Sequence, residues 1–325
     1  MVKSDSHKVL VPNGRDNAAI VRFSAEIAAL DHHSHVEFSF RGVDFVTPGW
    51  MLLIVRALQG FRDDHPGSHC KVVDATSSAM IYAGHAGFFD ALGLKWGRGT
   101  GEAPGTSTFL PVSRRKIKDI FANQPLFRPA GDIIQADAES MSAILAQGSE
   151  GVLFDTLSYA IREIIRNVVE HSRAQEFLIA AQCWVASGTA EIAIADSGIG
   201  IAAGLSSNGK YSPRDDEDAL LLAIRPGVSG AIISRHSDNA WANSGYGLYM
   251  AQGLADGKQG FVLASGTAAI TSGDNDQAIL TGSVKGTCVV LRLRAGDIGL
   301  DTRLANLIAS GAGKPSRASV SAKVK

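Results

Sequence analysis

The run Ala190-Glu191-Ile192-Ala193-Ile194-Ala195-Asp196-Ser197-Gly198-Ile199-Gly200-Ile201 decides how this chain is read. Ala190 to Ala195 predicts a strand, and Asp196 at its end is an acceptor placed to receive a hydrogen bond from the amino group of a base. The two glycines after it let backbone come within contact of a ring. A dinucleotide fingerprint competes for Gly198-Ile199-Gly200, but it needs a βαβ unit with an acid roughly 20 residues downstream. Here the acid precedes the glycines. The strand before them, Phe177 to Val185, leads through Ala186-Ser187-Gly188-Thr189 as a hairpin.

Upstream of the hairpin, Gly151 to His171 has the most regular helical spacing in the chain. Leu153, Leu157, Ile161, Ile164 and Val168 form its buried stripe, while Glu163, Asn167 and His171 share another face. A carboxylate and a carboxamide one turn apart suit a magnesium ion and its waters, and the carboxylate could orient or deprotonate a nucleophile. Polar residues on one side of an amphipathic helix usually just face water, so this face gains meaning only in combination with the glycine motifs. The second of these, Ser244-Gly245-Tyr246-Gly247-Leu248, opens a helix reaching about Asp256, and backbone N–H groups at a glycine-rich helix start suit polyphosphate. Between the two glycine pairs, a helix opening at Ser212-Pro213 carries Asp215, Asp216, Glu217 and Asp218, acids that a helix N-terminus prefers. Strands at Gly260 to Ala264, Ala269 to Thr271 and Thr287 to Leu293 complete this part.

The amino-terminal part alternates short strands (Lys8 to Val11, Val36 to Phe40, Phe45 to Val46, Cys70 to Val73) with helices (Asn17 to Leu30, Trp50 to Phe61, Ser78 to Leu92). That pattern predicts a small α/β domain over residues 1–94. Glycines and prolines then mark residues 95–137 as a linker, broken by a short helical piece around Lys116 to Ala122. Arg114, Arg115, Lys116 and Lys118 read there as a solvated helix start. The second domain is expected over 138–296, and a tail poor in aromatics, 297–325, is expected to be partly disordered.

A length of 325 residues allows about two domains. A net charge of −1 gives no overall pull toward nucleic acid or a membrane surface. Cys70, Cys183 and Cys288 lie far apart with no CxxC spacing, which fits a reducing, cytoplasmic interior. Asp5 interrupts any signal peptide, and no stretch approaches about 18 uncharged apolar residues, so no membrane segment is expected. Gly311-Ala312-Gly313-Lys314-Pro315 lacks the first glycine and the Ser/Thr of a P-loop. His32, His33, His35, His65, His69 and Cys70 lack a second ligand cluster at zinc spacing.

The order Glu163…Asn167, Asp196-x-Gly198-x-Gly200, Gly245-x-Gly247-Leu248, then Gly286-Thr287 before a final strand resembles the ATP-binding domain of the GHKL superfamily, the Bergerat fold of gyrase-type, chaperone, histidine-kinase and mismatch-repair ATPases. The resemblance covers Ala138 to Arg294 and implies a two-layer α/β sandwich binding ATP with Mg²⁺. It casts Asn167 as the Mg²⁺ ligand, Glu163 as general base and Asp196 as partner of the adenine amino group. Gly198 and Gly200 would line the adenine pocket, Gly245 and Gly247, with Leu248 after them, would meet the phosphates, and Thr287 would support the adenine contact. A lid is implied over Gly204 to Gly245, its flexible pieces at Ser206 to Gly209 and Ser234 to Asn243. His171 falls where the family often has a polar residue.

Val36 to Leu94, with Arg41-Gly-Val-Asp-Phe-Val-Thr-Pro-Gly49 before a helix and Ala91-Leu-Gly-Leu94 at its end, is similar to a STAS domain, the anti-sigma-factor antagonist fold. Antagonists of that family carry Asp-Ser-Ser-Gly at this turn and are phosphorylated on serine; here the run is Val46-Thr47-Pro48-Gly49. The pairing implies a regulatory serine/threonine kinase of the anti-sigma-factor type acting on a protein partner, and similar kinases commonly form homodimers. An ATP-gated binding module or slow ATPase is the alternative. A histidine kinase would need a phosphoacceptor histidine just before the ATP domain, and no histidine lies between His85 and His171.

Overall fold

The computed structural model describes residues 6–30, 35–122, 130–207, 209–228, 245–255, 260–273, 276–294 and 300–309. Strands β1 (Ser6–Leu10), β2 (His35–Ser39) and β3 (His69–Val73) form a parallel sheet in the order β1-β2-β3, connected by helices α1 (Asn17–Ala28) and α2 (Pro48–Asp64). Both helices start at side-chain caps. Asp16 accepts the amides of Ala18 and Ala19, and Thr47 accepts that of Trp50, with Pro48 in the first helical turn. Helices α3 (Ser78–His85) and α4 (Phe88–Ala91) replace the single helix expected over Ser78 to Leu92, because Gly87 between them adopts a φ of 91°. Phe45 and Val46 form no strand.

The segment expected to be a linker holds β4 (Phe109–Lys116) and α5 (Ile117–Ala122), and α6 (Ala130–Ala146) begins within it. β4 is an edge strand of the second sheet, antiparallel to β5, with its register shifted between Leu110 and Ser113. Pro111 sits within that irregularity, the kind of place where a strand tolerates proline. Of the basic run, Arg114 pairs with Glu176, and Arg115 grips Asp137 of α6 through two bonds of 2.8 and 2.7 Å.

Helix α7 (Val152–His171) leads into the hairpin of β5 (Glu176–Trp184) and β6 (Thr189–Asp196), turned by a 3-10 segment and Gly188 at φ 64°. After α8 (Gly200–Ser206), α9 (Asp216–Ala223) and α10 (Gly247–Leu254), the strands β7 (Phe261–Gly273) and β8 (Asp276–Arg294) complete a sheet in the order β4-β5-β6-β8-β7, followed by α11 (Leu300–Ala309). The acids expected at the start of α9 cap it: Asp215 accepts the Asp218 amide, while Asp216 accepts the amide and hydroxyl of Thr267. Among the described residues no helix is long and apolar enough to cross a membrane.

The chain is a mixed α/β fold, and its second sheet is covered on both faces. Phe177, Ile179, Ile192, Ile194, Val289 and Leu291 pack with α6, α7 and the later helices. Leu178, Ala180, Ala193, Ala195, Cys288 and Val290 face the other way, into the core formed by α1, α2 and the amino-terminal sheet. Small side chains on that second face let α2 lie close. At its start, Gly49 leaves no room for a Cβ, which would stand 2.7 Å from a Val290 methyl.

The two halves also share polar contacts. Glu191, with no exposed surface, accepts the Gly49 amide at 2.7 Å and the Arg292 guanidinium at 2.8 Å. The Tyr82 hydroxyl donates to Gln182, the Ser283 amide donates to Ser24, and Lys285 pairs with Asp64, at 2.8, 2.8 and 2.6 Å. Replacing Glu191 with alanine would strand both the Gly49 amide and Arg292. We expect Glu191→Ala to lower the unfolding free energy by about 3 kcal/mol in urea titration, and Glu191→Gln to lose less because it keeps an acceptor.

Candidate functional site

One pocket gathers side chains and backbone from elements far apart in sequence. Asn167 and His171 come from α7, Asp196 from the end of β6, Gly200 and Ile201 from α8, Gly245, Gly247 and Leu248 from the start of α10, and Thr287 from β8. Its apolar wall includes Ile164, Val168, Leu205 and Val289. Of the nine residues singled out from the sequence, Asn167, Asp196, Gly200, Gly245, Gly247, Leu248 and Thr287 line this pocket, and Glu163 and Gly198 lie behind it. Residues 229–244 of the expected lid lie outside the described residues, as do Asn208 and the Gly311 to Pro315 run.

Asp196 is 2% exposed, and its Oδ1 accepts the Gly198 amide at 2.7 Å. Burial pushes its carboxyl up to about 6, against the lowering pull of the Gly198 amide, the Arg56 guanidinium and the Thr287 amide. The turn after Asp196 is tied down on both sides. The Ile199 amide donates to the Ser172 carbonyl at 2.8 Å, and the Ile201 amide donates to Ser265 Oγ at 3.0 Å. Ser265 in turn donates to the Gly286 carbonyl at 2.7 Å, while a Cβ on Gly198 would run into the Ser172 carbonyl. Gly286 has a φ of 85°, and a Cβ there would strike the Asp196 backbone, so only glycine fits. Gly198 therefore fixes the acid rather than lining the pocket. Ser265, 64 residues from Ile201, carries no local sequence signal for this bracing role.

Glu163 lies beneath α10. A Cβ on Gly247 would come within 2.7 Å of the Glu163 Cβ, so glycine lets the helix start settle onto α7. The Glu163 carboxylate is 2% exposed and lies 3.2 Å from Arg166, which also binds Glu170, and 3.8 Å from Arg162. Arg166 thus bridges two carboxylates on successive turns of α7. His171, at the end of the helix, is held below the ordinary imidazole range mainly by burial, with Glu170 opposing and Arg166 assisting.

A nucleotide fits this donor set. Asp196 accepts and is recessed, the apolar walls suit a flat ring, and the α10 start offers backbone amides beside a carboxamide. Among the described residues no group of three His, Cys, Asp or Glu side chains could hold a metal ion by itself. Asn167 would accordingly share a magnesium ion with nucleotide phosphates rather than bind it in a protein cage.

Residues 134–259 match the family model for a histidine kinase-like ATPase domain. The match contains Glu163, Asn167, Asp196, Gly198, Gly200, Gly245, Gly247 and Leu248, ends before Thr287, and supports ATP binding by this part of the chain. No curated protein matches the chain.

The raised carboxyl of Asp196 has a stability consequence. Its proton is held more tightly in the folded state, so the stabilisation from protonation is complete below about pH 4 and is lost as pH rises through about 6. At pH 8 the ionised, buried Asp196 costs about 1–3 kcal/mol. Asp196→Asn should therefore raise the melting temperature of the ligand-free protein at pH 8, and the gain should shrink toward pH 4. A gain that is independent of pH would refute the assignment of that cost to the charge.

Proposed function

We propose that this chain is a Mg-ATP-binding regulatory protein, a serine/threonine kinase of the anti-sigma-factor type that acts on a hydroxyl of a protein partner. The observation that carries the reading is the meeting of Asn167, Asp196, Gly200, Gly245, Gly247 and Thr287 around one pocket. In this reading Asp196 receives the adenine amino group, braced by Gly198 and Thr287, and the amides at Gly245 to Leu248 face the phosphates. Asn167 holds Mg²⁺, which supplies charge neutralisation at the phosphates when bound. Glu163 serves as base for the partner's hydroxyl.

The amino-terminal layer, three parallel strands joined by α1 and α2, supports the STAS-like reading of residues 1–94. That layer is a platform here and not the phosphate acceptor. Thr47 is 1% exposed, and its hydroxyl oxygen caps α2 by accepting the Trp50 amide at 3.1 Å. It also sits beside Gly49, against the sheet face opposite the α7 side.

One observation favours the alternative of a slow ATPase or ATP-gated binding module. Glu163 does not line the pocket, and two guanidiniums flank its carboxylate. Chemistry through Glu163 needs that ion pairing to loosen.

Incubation with γ-labelled ATP and Mg²⁺, alone and with cell extract, separates the readings. Label on a partner's serine or threonine supports the kinase, and free phosphate without labelled protein supports the gated ATPase. Asn167→Ala should abolish Mg-ATP binding or turnover. Glu163→Ala should keep binding but lose turnover by about a hundredfold or more, as expected for removal of a general base. Unchanged turnover in the Glu163 variant would remove it from the chemistry.

A further inference from the structure

Part of the stretch read from sequence as a tail folds into α11. Leu300, Leu304 and Leu307 recur at helical spacing and pack into the same core as Ala251 and Leu254 of α10, while Asp301, Thr302, Ala305 and Asn306 are exposed. This helix lies beyond the residues that the family model matches. It meets α10 through Leu307 and Arg303. Leu307 covers Gly253 so closely that a Cβ there would stand 2.9 Å from one Leu307 methyl and 3.2 Å from the other, and Arg303 Nη2 donates to the Leu254 carbonyl at 3.3 Å. Leu254 ends α10, where the last carbonyls favour a cationic donor.

The position of α10 depends on such contacts. It has eight residues, Gly247 and Gly253 among them, and no side chain among the described residues caps its start. A helix this short is not stable through its own hydrogen bonds, so packing decides where it lies. At its start the packing is with α7: Gly247 rests on Glu163 and the Ala160 carbonyl, and Met250 is buried against Ala160. At its other end the packing is with α11. The start is the end that borders the pocket, through Gly247 and Leu248 with Gly245 just before them. Gly247 and Gly253 are about 9 Å apart along the axis, so a helix released at Gly253 tilts at Gly247.

We propose that α11 is a clamp on the nucleotide site, with Leu307 and Arg303 as positioning residues that hold α10 on α7 so that its first amides face the phosphates. The proposal rests on the reading of the pocket as a nucleotide site. It divides the site into two parts with different supports. Asp196 is braced by Gly198, Ser265 and Gly286 and does not depend on α11, whereas the amides at Gly245 to Leu248 do. A partner or a modification that lifts α11 would therefore loosen the grip on phosphate and leave the grip on the base.

The test compares ADP with Mg²⁺ against adenosine, each titrated into the full chain by calorimetry. If Leu307→Ala leaves α10 seated in about a fifth to a tenth of the molecules, ADP affinity falls about five- to tenfold, while adenosine stays within about twofold of wild type. Amide hydrogen exchange should quicken across Gly247 to Leu254 in the same variant and stay unchanged across β6. Arg303→Ala should weaken ADP in the same selective way by about two- to threefold, and Arg303→Lys, which keeps a cation at the Leu254 carbonyl, should restore it. Leu307→Met conserves volume and should bind ADP within about twofold of wild type. The two Arg303 variants carry the test alone if circular dichroism finds Leu307→Ala unfolded.

Wild-type ADP affinity in folded Leu307→Ala and in Arg303→Ala would overturn the proposal. So would an equal loss of ADP and adenosine, which would make α11 a general packing element. Equal affinity for ADP and adenosine in wild type, or no binding of either, would instead overturn the reading of the α10 start as a phosphate site.

Discussion

Ala193, Ala195 and Cys288 point to one side of the five-stranded sheet, and Ile192, Ile194 and Val289 to the other. Each side is closed by helices from a different half of the chain, so neither half buries its apolar surface alone. Antiparallel sheets commonly leave one face to water. Here that option is absent, and the strands read as nearly continuous apolar runs from Phe177 to Ala181 and from Ile192 to Ala195. Glu191, directly before the second run, is the buried polar exception. Its burial is tolerated because its oxygens take the Gly49 amide and the Arg292 guanidinium.

The pocket inherits its geometry from this arrangement. Asp196 lies where β6 ends, held between the Gly198 amide in front and the β8 strand beside it. The Ser265 to Gly286 bond and the close passage of Gly198 against Ser172 keep that strand end from splaying. On the far wall, Gly247 lets α10 rest directly on α7, which presents Asn167 to the pocket while pressing Glu163 beneath it. The same helix thus carries one residue in the pocket and another shielded from it, a turn apart.

Features written in short stretches of sequence were legible. The extent of α7, the β5–β6 hairpin with its turn at Gly188, the acid at the strand end and the glycine that starts α10 are all set by local periodicity and turn chemistry. Features set by distant partners were not. β4 reads as a linker because Pro111 breaks its alternation and Arg114 and Arg115 look solvated, yet their partners Glu176 and Asp137 arrive only on folding. The break between α3 and α4 depends on Gly87, where the positive φ and the closeness of Thr100 and the Val112 carbonyl leave no room for a Cβ. Spacing placed Glu163 and Asn167 on one helix face but could not reveal that α10 would cover the first and leave the second in the pocket. Nothing local marked Ser265, since it braces a turn 64 residues away.

The placement of β4 has a practical meaning for how the molecule is divided. A cut in the glycine-rich stretch after Leu94 leaves β4 on the carboxy-terminal fragment but strips α1 and α2 from its sheet, exposing Ala193, Ala195, Cys288 and Val290. A cut before Ala138 removes the edge strand as well and opens the backbone of β5 to any passing chain. Either fragment would be sticky for a reason unrelated to any ligand, and its aggregation would say nothing about the integrity of the pocket around Asn167 and Asp196. The two halves share one packed core, laid along a face of the five-stranded sheet.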